Sequence, residues 1–395
     1  MQSVYSTPNP VLFGCGVSQQ TGERLKKLGC KKVLVVCDKG VKQAGIVDKI
    51  IDNIHAADIE TVLYDSVQAD PPDWSVDEAG ALGVKENVDA VVGVGGGSSM
   101  DTAKGATLLQ TNKPPINQYF GRVGVITNPG KPLFVIPTTA GTGSECSPGG
   151  VITDTKNGIK TNIAGAGCAV TLGLVDPELT VGMPPAVTAA TGLDVFCHAF
   201  ESYTSRLANS YSEVMGRESI RLCGKYLVRA YKDGKDMEAR EGMMLASSLA
   251  GMAISGALCH LAHDIGKVVG IKYHVPHGVA GAVCLPQILE VLSFGQPEKL
   301  KYITEMIGHV QLPDDATPED ISKAAYKAGM DLIHDLDMPK LRDIAGSKEE
   351  LVEYVPSRVS ILSVELKKMF GSQTAPVEVT DELIADIISR AYDEN

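Results

Sequence analysis

The chain has 395 residues, 44% of them hydrophobic and 21% charged, which is enough length for two domains and an ordinary globular composition. Its net charge of −12 argues against nucleic acid or an anionic membrane as a main partner, since both attract basic surfaces. The nine cysteines are scattered without a Cys-x-x-Cys pair, so they are read as reduced thiols of an intracellular, cytoplasmic protein. Residues 1–8 carry no basic segment followed by an apolar one, which predicts no secretory leader.

In chain order, residues 32–37 (KVLVVC) form an unbroken apolar run and read as a buried parallel strand, followed by a helix over 41–56. A strand at 61–64 and a helix at 75–87 come next, then a strand at 89–94, a helix at 99–109 and a strand at 132–137. Alternation of apolar strands with helices indicates a parallel α/β sheet. Beyond residue 184 the pattern turns helical, with helices expected over 186–203, 210–231, 239–268, 287–294, 297–307, 318–333 and 380–391. Met183, Pro184 and Pro185 mark the boundary. An α/β nucleotide-binding domain is therefore expected over 1–183, and an all-helical metal-binding domain over 184–395. Residues 243–259 contain no charge, but they are rich in Ser, Gly and Ala and run straight into His260 and His263. A buried helix explains them better than a membrane span.

Gly95, Gly96 and Gly97 stand between a strand and a helix. Glycines there let backbone N–H groups approach an anion, and the helix N-terminus adds favourable partial charge. Ser98 is expected to cap that helix and offer its hydroxyl. The pattern is not the GxGxxG fingerprint in its usual place after the first strand. Asp38 closes the strand at 32–37; its carboxylate either caps the following helix or accepts from ribose hydroxyls and repels a 2′-phosphate. The second role favours NAD(H) over NADP(H). A further turn, residues 136–145 (IPTTAGTGSE), offers hydroxyls for the same ligand.

Asp194 and His198 are four apart, which places both on one face of a helix. Five of the eight histidines, 198, 260, 263, 274 and 277, fall in this region. One carboxylate with three imidazoles suits a divalent ion such as Fe(II) or Zn(II). His260 and His263 compete for the third position. His277 follows a proline, which predicts a loop. His274 is a candidate for proton relay.

These residues lie in motifs that resemble the iron-containing (group III) alcohol dehydrogenases over nearly the full length. The motifs are 95–104 (GGGSSMDTAK), 137–145 (PTTAGTGSE), 176–180 (DPELT) followed by 191–201 (TGLDVFCHAFE), and 276–280 (PHGVA). The resemblance implies an N-terminal dinucleotide-binding α/β domain with an all-α C-terminal domain, the architecture shared with dehydroquinate synthase. It implies Fe(II) on Asp194, His198, His263 and His277, with Zn(II) or another divalent ion as an alternative, and a homodimer. By the same resemblance Asp38, Gly95, Gly96, Gly97, Ser98, Asp101, Thr138, Thr139, Thr142 and Lys160 belong to the cofactor site.

The chain departs from the family at Lys267, where relatives carry a second histidine four residues after the third ligand, and more mildly at Asp70, where they often have Asn. Lys267 is assigned a contact with a polar or anionic substrate group. The expected reaction is hydride transfer between the nicotinamide and a primary alcohol or aldehyde. The alternatives are a metal-dependent lyase or cyclase of the dehydroquinate synthase type, polyol oxidation of the glycerol dehydrogenase kind, and a non-catalytic scaffold. The first needs a basic cluster that is not seen near the ligands. The second usually has a smaller ligand set, and the third would have lost a ligand.

Overall fold

The computed structural model describes residues 9–121, 126, 128–147, 149–365 and 373–394. The segment read for a leader, residues 1–8, lies outside the described residues. The chain falls into two compact units, Ser6–Gly182 and Met183–Asn395.

The first unit is built on a six-stranded parallel sheet of β1 (Val11–Phe13), β2 (Lys32–Asp38), β3 (Glu60–Val67), β4 (Ala90–Gly95), β5 (Leu133–Pro137) and, after the antiparallel hairpin of β6 (Gly149–Asp154) and β7 (Ile159–Ala164), β8 (Leu172–Val175). Between them run α1 (Thr21–Lys27), α2 (Lys39–Gln43), α3 (Ile46–His55), α4 (Asp73–Lys85) and α5 (Gly97–Leu108). Spatial order is β1-β8-β5-β4-β2-β3, with every adjacent pair parallel. Val33, Val35 and Cys37 turn to one face of the sheet, against Val47, Ile50 and Ile54 of α3. Leu34 and Val36 turn to the other, against Met100, Ala103 and Ala106 of α5. Strands covered on both faces must be apolar at every position, so β2 and β4 show no alternation. The helix expected over 41–56 is two helices, because Gly45 takes a left-handed conformation (φ 73°) that ends the first turn and begins α3.

The chain leaves β2 for β3 on one side and returns to β4 on the other. The gap between the carboxyl ends of β2 and β4 is therefore the topological switch point, where open α/β sheets bind ligands. Asp38 ends β2 and Gly95 ends β4.

The second unit is helical: α6 (Pro185–Thr204), α7 (Ser210–Lys232), α8 (Met237–Ala257), α9 (Leu261–Tyr273), α10 (His277–Ala282), α11 (Leu285–Gly295), α12 (Pro297–Gly308), α13 (Pro318–Asp335), α14 (Leu341–Ile344), α15 (Lys348–Glu365) and α16 (Asp381–Glu394). The single helix expected over 239–268 is instead two, bent by 104° after Leu258, whose φ is +60°. Partners from elsewhere satisfy the backbone at the break. Ala262 N donates to Glu201 Oε1 at 2.6 Å, and the Cys259 carbonyl accepts from Thr374 Oγ1 at 2.8 Å. The uncharged stretch is buried along Ala246, Ala250, Ala253 and Ala257. Among the described residues no single helix is long and apolar enough to cross a membrane.

Candidate metal centre and nucleotide turn

Asp194, His198 and Glu201 follow one another at helical spacing (i, i+4, i+7) along one side of α6, and each is more than nine-tenths buried. His263 is the third residue of α9 and His277 the first of α10. The loop expected at His277 is thus a helix start, with Pro276 as its N-cap. Its approach to α6 depends on Gly278. A Cβ there would stand 1.9 Å from the Ala190 carbonyl oxygen, so only glycine lets α10 lie close enough for His277 to reach Asp194.

Around Asp194 Oδ1 stand His198 Nδ1 at 3.8 Å, His263 Nε2 at 3.7 Å and His277 Nε2 at 3.7 Å. These separations exceed a hydrogen bond and match donors around a common centre, since bonds of about 2.0–2.2 Å to an ion put neighbouring ligands about 3–4 Å apart. His198 Nδ1 and His263 Nε2 are buried without a hydrogen bond. Burying such atoms unpaired is costly, and a bound cation is what they fit. Burial, then the neighbouring His198 and His277 rings, holds His263 well below its ordinary protonation range, so its imidazole is neutral with a lone pair to give.

Glu201 fixes which nitrogen gives it. Its Oε2 accepts from His263 Nδ1 at 2.5 Å, so the proton sits on Nδ1 and Nε2 faces Asp194. His260, fully buried, lies with its Nδ1 3.3 Å from Glu201 Oε1 and its Nε2 3.0 Å from Thr204 Oγ1. The structure therefore brings His263, and not His260, to Asp194 and His277. Sequence reasoning passed over Glu201, although its i+7 spacing from Asp194 was the available signal. Replacing it with Gln is expected to lower divalent-ion affinity about 10- to 100-fold while the fold persists, as loss of such an outer partner typically does. Competition against a chromophoric chelator checks this, and unchanged ion retention would refute the positioning role.

Lys267 lies one turn beyond His263 on α9, and its charge also disfavours protonation of that ring, after burial and the other histidines. His274 is exposed at the C-terminus of α9 in a left-handed conformation (φ 54°).

In the other unit, Gly95 takes φ +147°, and a Cβ on it would meet Ser99 Oγ at 2.5 Å. The turn is thus held to glycine both by conformation and by space. Asp38 does cap α2, accepting from Val41 N at 3.0 Å, and its other oxygen accepts from Ser99 Oγ at 3.1 Å, which joins the end of β2 to the first turn of α5. Each oxygen keeps a lone pair. The cap expected of Ser98 is not made. Gly96 is the N-cap of α5 without a side-chain bond, because the helix begins one residue before Ser98. Thr139 and Thr142 are half-buried beside Gly96 and Gly97, with Thr138 buried behind them. Asp101 turns inward. Its oxygens accept from Ser144 Oγ at 2.6 Å and Val151 N at 2.8 Å, bracing the turn rather than opening to it. Lys160 pairs with Asp70 at 2.6 Å.

The sequence matches the family described as iron-containing alcohol dehydrogenase over residues 8–177, and the C-terminal part of the same family over residues 188–392. Choline dehydrogenase from Bacillus subtilis (strain 168) is 37% identical over 370 residues, 93% of this chain and 90% of that protein. A crystal structure of 1,3-propanediol oxidoreductase superposes with a TM-score of 0.92 at 34% identity, covering 99% of this chain and all of that one. Sulfoacetaldehyde reductase from Bifidobacterium kashiwanohense, solved in complex with NAD+, gives a TM-score of 0.87 at 26% identity, with full coverage of both chains.

Proposed function

The chain belongs to the iron-containing alcohol dehydrogenase family and is a metal-dependent oxidoreductase of alcohols or aldehydes, and we propose that it uses NAD(H) with a divalent ion, Fe(II) by family, held by Asp194, His198, His263 and His277. The observation that carries the reading is the convergence of three imidazoles on one carboxylate oxygen, with His198 Nδ1 and His263 Nε2 buried and without a hydrogen bond. An ion there supplies Lewis acidity, which lowers the pKa of an alcohol and polarises an aldehyde carbonyl. Glu201 holds His263 in the tautomer the ligand set needs. Lys267 is assigned to orient a polar or anionic group of the substrate, and the exposed His274 to pass a proton towards solvent.

On the nucleotide side, backbone N–H groups at the start of α5 are assigned the pyrophosphate. Thr138, Thr139, Thr142 and Lys160 are assigned to flank it. The free lone pairs of Asp38 at the switch point are assigned the ribose hydroxyls, where a 2′-phosphate would be repelled. A relative solved with NAD+ supports that choice of cofactor.

The test is NADH oxidation by the Fe(II)-loaded protein, purified without oxygen, across a panel of small neutral and anionic aldehydes. Wild type is expected to prefer NADH, and Asp38→Ala to lower the NADH:NADPH ratio of kcat/KM at least about 10-fold, or about 1.4 kcal/mol. The same panel on Lys267→Ala should lose chiefly the substrates bearing a polar or anionic tail. A wild type that prefers NADPH would sink the cofactor assignment, and identical rates in Lys267→Ala would sink the substrate assignment.

A further inference from the structure

The break between α8 and α9 places a thiol at the metal centre. Cys259 sits in it, held through its carbonyl by Thr374 and only half-buried, whereas Cys197 on α6 is fully buried. Its Sγ and one ring nitrogen each of His198 and His263 all lie within 4.8 Å of one another. His198 Nδ1 and His263 Nε2 are both buried without a hydrogen bond, as are the Nδ1 atoms of His260 and His277. Two donor sets therefore overlap in one place. Asp194, His263 and His277 offer one oxygen and two nitrogens; His198, Cys259 and His263 offer two nitrogens and a sulfur. Because His263 belongs to both, a single ion draws on one set or on a mixture, and two ions do not fit side by side.

We propose that Cys259 gives this centre a second, sulfur-containing donor set, with His198 and His263, which takes a borderline-soft divalent ion such as zinc. The inference rests on the metal reading above and deepens it. Thiolate selects zinc over harder ions, while carboxylate with imidazole serves Fe(II). Binding breaks the S–H bond, forms the metal–sulfur bond and releases one proton to solvent, so zinc uptake through this set is accompanied by proton release. The chain would then hold iron and zinc in different coordination shells, and zinc would draw His198 and His263 away from Asp194 and His277.

The experiment is X-ray absorption at the zinc and iron edges of the full-length protein, stripped of metal and reloaded with one equivalent of either ion. Zinc-loaded wild type is expected to show one sulfur at about 2.3 Å beside nitrogen and oxygen at about 2.0–2.2 Å. Fe(II)-loaded wild type is expected to show nitrogen and oxygen only. Cys259→Ser should lose the sulfur shell and bind zinc at least about 10-fold more weakly by chelator competition, with unchanged Fe(II) binding. A zinc shell of nitrogen and oxygen alone in wild type would overturn the proposal while leaving the metal centre standing. Sulfur persisting in Cys259→Ser, or present with iron as well, would overturn it too. Failure of wild type to retain either ion would bring down the metal reading itself, and this inference with it. The wild-type zinc spectrum decides the question even if the variant does not fold.

Discussion

His263→Ala is expected to abolish stoichiometric metal binding and to lower kcat/KM for the best aldehyde about 1,000-fold. The ring it removes is the hub of the centre. It stands 3.7 Å from Asp194 Oδ1, with its centroid 4.4 Å from that of His198 and 5.3 Å from that of His277. Lewis-acid stabilisation by a bound ion is worth several kcal/mol, and each 1.36 kcal/mol is tenfold in rate, so about three decades follow from its loss. The substitution also strands Glu201, whose Oε2 is held by His263 in a fully buried position. Reduced-nucleotide binding, assigned to residues of the other unit, should change little. Metal analysis, NADH fluorescence titration and steady-state kinetics on one preparation separate these effects. A variant that keeps one equivalent of metal and more than a tenth of wild-type activity would remove His263 from the ligand set.

A second large effect is expected in the α/β unit. Lys104 on α5 is fully buried, and its Nζ donates to the Ser144 carbonyl at 2.7 Å, Ser144 Oγ at 2.7 Å, Ser147 Oγ at 3.0 Å and the Gly149 carbonyl at 2.6 Å, with Asp101 Oδ1 at 3.7 Å. Burial pulls the Lys104 ammonium down and pushes the Asp101 carboxyl up, and each charge opposes the other's shift. Lys104→Met fits the shape of the stem but leaves buried Asp101 without its counter-charge and takes one donor from each of the Ser144 and Gly149 carbonyls, which keep Ser147 N at 3.2 Å and Ser147 Oγ at 2.9 Å. The expected cost is about 3–5 kcal/mol, as for breaking one half of a buried pair. It should appear as a lowered urea midpoint for the first unfolding transition. Because these bonds tie α5, which opens at the glycine turn assigned to the nucleotide, to Ser144, Ser147 and Gly149, NADH affinity should weaken as well. Adding Asp101→Asn should recover part of the loss, since it removes the stranded charge. A shift below about 1 kcal/mol in the single variant would show that the cluster is not a keystone of this unit.

Several features were legible because they are local. The doubly covered strands β2, β4 and β5 are continuous apolar runs. Asp194 and His198 needed only helical spacing to share a face. Other features depended on partners distant in sequence. β1 is three residues long and exists because Val11 pairs with Gly173. The 239–268 stretch has unbroken helical composition, and its bend exists because Glu201 and Thr374 take up backbone groups at the break. Asp101 lies in a motif that reads as nucleotide-binding, yet both its oxygens were claimed by the turn and by β6.

By itself the sequence determined the layered α/β sheet, the glycine turn after β4, the helical second half and the identity of the donor types, since periodicity, conformation at glycine and ligand chemistry are properties of neighbouring residues. The tertiary structure alone decided that His263 and not His260 meets Asp194, that Glu201 sets its tautomer, and that Cys259 stands among the ligands. Those outcomes depend on how closely three helices pack and where one of them breaks. The close approach of Gly278 to Ala190 and the capping of α9 by Glu201 join residues more than 60 positions apart, which local pattern does not encode.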